Sequence, residues 1–102
     1  MPAAFARMRL FQAVRRFSQA TRDWEQAVRY MTLPDERFDL TKVSARVYGT
    51  RDEALVIQAA AGLDSPELEL TERRLVLPMP EQLAAMKRDA GYDLPDERPA
   101  YG

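Results

Sequence analysis

The residues of this chain that could do chemistry are carboxylates, lysines, tyrosines and serines, because the sequence contains neither histidine nor cysteine. That absence removes imidazole bases, thiolate nucleophiles, disulfides and the commonest zinc ligands. Carboxylates do occur as adjacent pairs, at Asp35/Glu36, Asp52/Glu53 and Asp96/Glu97. Glycosidases need two carboxyl groups about 5–10 Å apart across a cleft, which neighbours in a turn or a helix cap do not supply. We therefore expect no catalytic site, no metal and no cofactor.

Charge is distributed unevenly along the 102 residues, which are enough for one domain and an appended arm. The first 30 residues carry six arginines against Asp23 and Glu25, a net +4, so the remainder carries −5. Such asymmetry is typical of chains that bind nucleic acid or an acidic protein surface, and also of a solvated helix face. No stretch approaches the roughly 18 apolar residues of a membrane span, and arginines interrupt the N-terminal apolar run. We expect a chain made in the cytosol, without a membrane partner.

An apolar heptad stripe predicts a helix over residues 3–28. Ala3, Leu10, Phe17 and Trp24 recur every seven residues, and three further residues follow the last three of them at a spacing of four. Other apolar residues lie off the stripe, so this end is apolar on more than one side. We expect the helix to dock on another chain and not on its own domain, with two tyrosines of the C-terminal tail docking as well. The predicted docking residues are Phe5, Met8, Leu10, Phe11, Val14, Phe17, Trp24, Tyr92 and Tyr101.

Turn and cap signals divide the rest of the chain into strands and short helices. Strands are predicted at 28–33 and 73–78, and a helix at 81–90 before an extended tail. A helix from the cap Asp39 ends at Gly49, and a second helix over 51–63 ends in the Gly62 turn. The order is strand, helix, helix, strand, with the two strands paired, which is an α+β fold.

These elements resemble the LysM (lysin motif) domain over residues 28–78. The matching segments are Tyr30-Met31-Thr32, Asp39-Leu40, Val43-Ser44, Val47-Tyr48-Gly49, Ile57 with Ala60-Ala61-Gly62-Leu63, and Leu75-Val76-Leu77-Pro78. Within that superfamily, "RFDLTKVSARVYG" is most similar to the version found in tail and baseplate proteins of bacteriophages. The resemblance implies a LysM-like core built on Leu40, Val43, Val47, Tyr48, Leu55, Ile57, Leu75 and Leu77.

The chain departs from the wall-binding LysM pattern at its first loop and second helix. Glu36–Asp39 stand where that pattern has Gly-Asp-Thr, and Ala60-Ala61 replaces its Ala-Asn pair. Bulk and charge therefore stand where N-acetyl sugars would lie, which disfavours glycan binding. The resemblance instead implies a structural adaptor in the virion, at a phage tail or contractile-particle baseplate. An N-terminal helix (1–27), a LysM-like module (28–79) and a short helix with a tail (80–102) would hold neighbouring subunits.

Two other functions stay open at this point. A carbohydrate-binding module for peptidoglycan or chitin-like glycans fits the family, although no export signal is present. A small nucleic-acid-binding protein fits the arginines interleaved with aromatic residues in the N-terminal arm. The heptad positions of Phe17 and Trp24 place them in a helix seam instead, which disfavours that function.

Overall fold

A computed structural model describes residues 3–92 and shows an α+β fold. Within this range four α-helices accompany one two-stranded antiparallel sheet. Single 3-10 turns, Pro34–Glu36 and Arg51–Glu53, precede the second and third helices. The elements in chain order are α1 (Ala3–Ala20), β1 (Val28–Met31), α2 (Leu40–Tyr48), α3 (Ala54–Ala61), β2 (Arg74–Leu77) and α4 (Pro80–Ala90). The predicted extended C-terminal arm, with Tyr101, lies outside the described residues.

The sheet pairs two strands that are distant in sequence. Val28 lies opposite Leu77 and Tyr30 opposite Leu75. Because side chains alternate across a strand, these four residues share one face. Leu75 and Leu77 are fully buried there, so this face forms one wall of the core.

Local side-chain bonds set the bounds of α2 and α3. Asp39 Oδ1 accepts a hydrogen bond from the Thr41 N–H at 3.1 Å, and Gly49 ends α2 with φ of 76°. The α-helical part of the next element begins at Ala54, later than the predicted residue 51. The cause is the buried Ser44 hydroxyl, which accepts from the Glu53 N–H at 3.0 Å and anchors the 3-10 turn before α3.

The residues predicted for the LysM-like core all lie in or against one apolar cluster. Its buried members among them are Leu40, Val43, Ile57, Leu75 and Leu77. Those half-buried against it are Val47, Tyr48 and Leu55. Tyr48 also donates to the Pro78 carbonyl at 2.6 Å, which ties the end of α2 to the end of β2.

The first helix is shorter than the heptad stripe predicts. It ends at Ala20, where the Thr21 hydroxyl and N–H both bond the Phe17 carbonyl, and Trp24 lies in the turn that follows. Val28 pairs with Leu77 in the sheet, so the chain must leave the helix before residue 28. Pairing of the strands therefore overrides the helical pattern.

The prediction that this helix docks on another chain and not on its own domain is wrong. Leu10 and Val14 are buried in the same core as α3 and β2, and Phe11 packs against it. The small βααβ unit leaves apolar surface on α3 and β2, and the helix stripe covers that surface. Tyr92 likewise packs against its own core. These residues stabilise the domain and are not free to bind a partner.

Two polar contacts fix α1 against the domain. The Ser18 hydroxyl donates to the Val76 carbonyl at 2.6 Å, and the Arg15 guanidinium donates to the Leu63 carbonyl at 3.1 Å. The arm predicted over residues 1–27 is thus not separate where the structure describes it, since α1 shares the core of residues 28–92.

Replacement of Leu10 by Ala should lower the free energy of unfolding by about 2–5 kcal/mol, the usual cost of truncating a buried leucine. Met8→Ala is the matched control, because Met8 lies on the same helix with 55% of its surface exposed. Its cost should be about 0.5 kcal/mol or less. Urea unfolding followed by circular dichroism measures both values. Equal and small costs would mean that α1 is not part of the core.

Candidate interaction surface

The loop after β1 and the loop before β2 are bonded into one unit. The Leu70 N–H donates to the Arg37 carbonyl at 2.7 Å. The Arg73 N–H donates to the buried Thr32 hydroxyl at 2.8 Å, and the Thr32 N–H donates to the Arg73 carbonyl at 2.9 Å. We call this part of the molecule, residues 31–38 and 68–72, the loop end.

A fully buried carboxylate, that of Glu36, braces the loop end from inside. Its Oε1 accepts from the Leu33 N–H at 2.6 Å. Its Oε2 accepts from the Tyr30 hydroxyl at 2.5 Å and from Arg46 at 2.7 Å. Arg46 also holds Asp35 through two bonds of 2.9 Å. The brace joins β1, the 3-10 turn and α2, and its hydrogen bonds offset the cost of burying the charge.

The electrostatics around the brace favour an ionised Asp35 and a protonated Tyr30 hydroxyl. The hydrogen bonds from Arg46 lower the pKa of Asp35, so this carboxylate stays ionised. Burial, and then the hydrogen bond to Glu36, raise the pKa of Tyr30, so its hydroxyl remains a donor. The pair Asp35/Glu36 is therefore a structural ion-pair network and not an acid and base facing across a cleft.

A groove of about 310 Å³ lies at the loop end, and an ion pair joins its two walls. Arg37 Nε and Glu69 Oε2 are 2.6 Å apart, with both side chains well exposed. The Arg37 guanidinium also lies 5.8 Å from the centre of the Phe38 ring. The groove is lined by Pro34, Arg37, Glu69, Leu70, Thr71 and Glu72.

Large apolar side chains on the same loops face solvent. Phe38 is 67% exposed, and the other three have about half of their surface in water. They are Met31, Leu33, Phe38 and Leu68. Apolar groups around a rigid, charged groove are typical of a surface that another protein covers.

A second apolar set lies on α1 and in the turn after it. Phe5 and Met8 are more than half exposed, and Trp24 is 76% exposed. Trp24 lies in a closed turn, since the Glu25 N–H donates to the Arg22 carbonyl at 3.0 Å and the Arg22 N–H donates to Glu25 Oε1 at 2.8 Å. The Arg22 guanidinium lies 5.5 Å from the Trp24 ring. This turn holds an indole in water, in an ordered position.

The docking residues predicted from the sequence are not brought together. Phe5, Met8 and Trp24 are exposed, Phe11 and Phe17 are half-buried, and Leu10 and Val14 are buried. Tyr92 is half-buried on its own domain, and Tyr101 lies outside the described residues.

Sequence reasoning missed the apolar residues of the loop end as docking candidates. Phe38 gave a signal, because it stands where the wall-binding pattern has small and polar residues. Leu68 gave a weaker one, as an apolar residue between two glutamates. Neither signal indicates a surface by itself, because the surface forms only where the two loops meet in the fold.

The acidic pair Asp52/Glu53 has a structural contact within the described residues. Glu53 forms a half-buried ion pair with Lys87 at 2.6 Å, which ties the 3-10 turn before α3 to α4, and Asp96/Glu97 lie outside the described residues. Among residues 3–92 no group of three or more acidic side chains is placed to hold a metal ion. In the same range no helix has both the length and the apolar content needed to cross a bilayer.

No family model matches this chain, and neither a curated protein nor a solved structure matches it. The function proposed below therefore rests on the surface chemistry of the chain and on the resemblance of its sequence to the LysM domain.

Glu36→Ala should lower the free energy of unfolding by about 3 kcal/mol, the lower end of the range for breaking a buried ion pair, because Arg46 is partly exposed. Arg37→Ala removes the exposed pair with Glu69 and should cost less than about 1 kcal/mol. Chemical denaturation of the two variants gives the comparison. If Arg37→Ala were the more costly of the two, Glu36 would not be the brace of the loop end.

Proposed function

We propose that the protein is a structural adaptor of a phage tail or tail-like contractile particle, where it holds neighbouring baseplate subunits. The observation that carries the proposal is the number of large apolar side chains left in water on an 11.7-kDa chain. Among residues 3–92 seven are exposed, and they belong to α1, the turn after it and the loop end: Phe5, Met8, Trp24, Met31, Leu33, Phe38 and Leu68.

The chemistry of these surfaces favours protein partners. Tryptophan, phenylalanine and methionine are enriched in interface cores, whereas their exposure on a monomer promotes association. The turn around Trp24 and the braced loop end are already ordered, so that little further conformational entropy is lost on docking. Two such surfaces on separate elements suit a subunit that contacts more than one neighbour.

The LysM-like likeness supports the choice of particle. The order β1, α2, α3, β2 supports the likeness, as do the Asp39 cap and the left-handed glycines Gly49 and Gly62 at the ends of α2 and α3. The segment from Arg37 to Gly49 is the part most similar to the phage-tail version. From that likeness we infer a location in the virion, at the tail or baseplate.

A glycan-binding module is the second candidate, and the exposed Phe38 beside the loop-end groove is the observation that favours it. An aromatic ring at a groove offers a face on which a sugar ring can stack. Against this, the Arg37–Glu69 ion pair joins the two walls of the groove, and Arg37 and Phe38 stand where the wall-binding pattern has small, polar residues. The adaptor function therefore fits the loop end better.

Particles purified from the cells whose genome encodes this chain should contain it as a tail component, detectable by mass spectrometry. The double variant Phe38→Ser with Leu68→Ser should fold normally and lose incorporation at least about tenfold, since two truncated anchors cost about 2 kcal/mol or more. Glu81→Ser, an exposed change on α4, is the control and should incorporate fully.

Sedimentation with insoluble peptidoglycan separates the two candidates. The adaptor function predicts that the chain stays in the supernatant. Saturable retention that disappears with Phe38→Ser would contradict it and favour the glycan-binding module, as would particles that lack the chain.

A further inference from the structure

The two edges of the sheet differ in what covers them. The Thr32 N–H donates to the carbonyl of Arg73, the residue directly opposite it. In an antiparallel ladder, residues whose main-chain groups bond the partner strand alternate with residues whose groups point away from it. The N–H and C=O groups of Arg29 and Met31 therefore point away from β2. By the same alternation the Val76 carbonyl points outward from β2, and Ser18 of α1 donates to it at 2.6 Å. Helix α1 therefore covers the outer edge of β2 at Val76, whereas no hydrogen bond among residues 3–92 occupies the outer edge of β1.

Strand β1 is short, which limits its exposed edge, but it lacks the other usual protections of such an edge. Natural edges carry prolines, bulges or charges that point along the edge. Strand β1 contains no proline, and its one charged side chain is bonded within its own chain: the Arg29 guanidinium donates to the carbonyls of Arg22 at 2.8 Å and Glu25 at 3.0 Å. Met31 and the following Leu33 stand exposed beside the open donors and acceptors.

We propose that this edge pairs with the same edge of a second copy of the chain, in an antiparallel β1–β1 contact with its two-fold axis at Tyr30. Arg29 of each copy then lies opposite Met31 of the other, and each pair exchanges both of its N–H···O=C bonds. The contact joins the two sheets into one sheet of twice the width.

Charge and bonding select this register over its neighbours. A shift in one direction places Arg29 opposite Arg29 of the second copy, and like charges directly opposite each other destabilise a strand pair. A shift in the other direction requires the Leu33 N–H, which already donates to Glu36 at 2.6 Å. The register at Tyr30 avoids both problems and covers Met31 of each copy.

The contact is small, so the dimer should depend on protein concentration. A short edge on each side falls well below the roughly 800 Å² per partner of a stable interface. Inside a particle the same contact would join two adaptors that other subunits already hold close together. Because the contact needs only two copies of this chain, its failure in a test leaves the proposed adaptor function standing.

Sedimentation equilibrium of the full chain over a wide concentration range tests the contact. The wild type should show a monomer–dimer equilibrium. Met31→Pro removes an N–H that makes no bond in the monomer, so the variant should fold and stay monomeric. Met31→Thr keeps that N–H and should still dimerise.

Two variants of opposite charge at Met31 test the register even if Met31→Pro fails to fold. Met31→Lys places a cation opposite Arg29 of the second copy and should raise the dissociation constant about two- to thirtyfold, whereas Met31→Glu should lower it by a similar factor. A wild type that is monomeric at every concentration overturns the proposal. A dimer that responds equally to Met31→Lys and Met31→Glu overturns it as well.

Discussion

The burial of the apolar stripe of α1 is the contact on which the rest of this structure depends. A two-stranded sheet is marginal by itself, and a unit of about 50 residues buries little surface. Leu10 and Val14 add a third apolar layer across α3 and β2. The same packing turns Phe5 and Met8 toward solvent and brings Ser18 to the edge of β2. The exposure of Phe5 and Met8 is thus a consequence of the packing of α1 on α3 and β2.

The Glu36 brace has a comparable role at the loop end. It holds β1, the 3-10 turn and α2 in one arrangement through a single buried carboxylate. Because that arrangement is maintained from inside, the outer side chains of the loop end are not needed for folding. Phe38 and Leu68 are therefore free to serve a contact with another protein.

The parts of the fold that local chemistry dictates could be predicted from the sequence. The Asp39 cap and the Gly49 turn mark the ends of α2, and the alternation of Leu75 and Leu77 indicates the inner face of β2. The end of α1 could not be predicted, because the heptad stripe continues through Thr21 to Val28 while strand pairing requires a turn there. Amphipathicity showed that Leu10 and Val14 would be buried, but it carries no information on which surface would bury them. The loop end could not be predicted either, because it forms where two loops more than 30 residues apart in sequence meet. The ion pair of Arg37 with Glu69 joins these two loops.

Native-state hydrogen exchange of the α1 amides tests most directly whether this helix belongs to the core. If it does, the amides from Leu10 to Phe17 exchange only through global unfolding, with the same opening free energy as Ile57 in α3. The contradicting result is an opening free energy for α1 well below that of α3, which would show a helix that detaches while the rest of the domain stays folded.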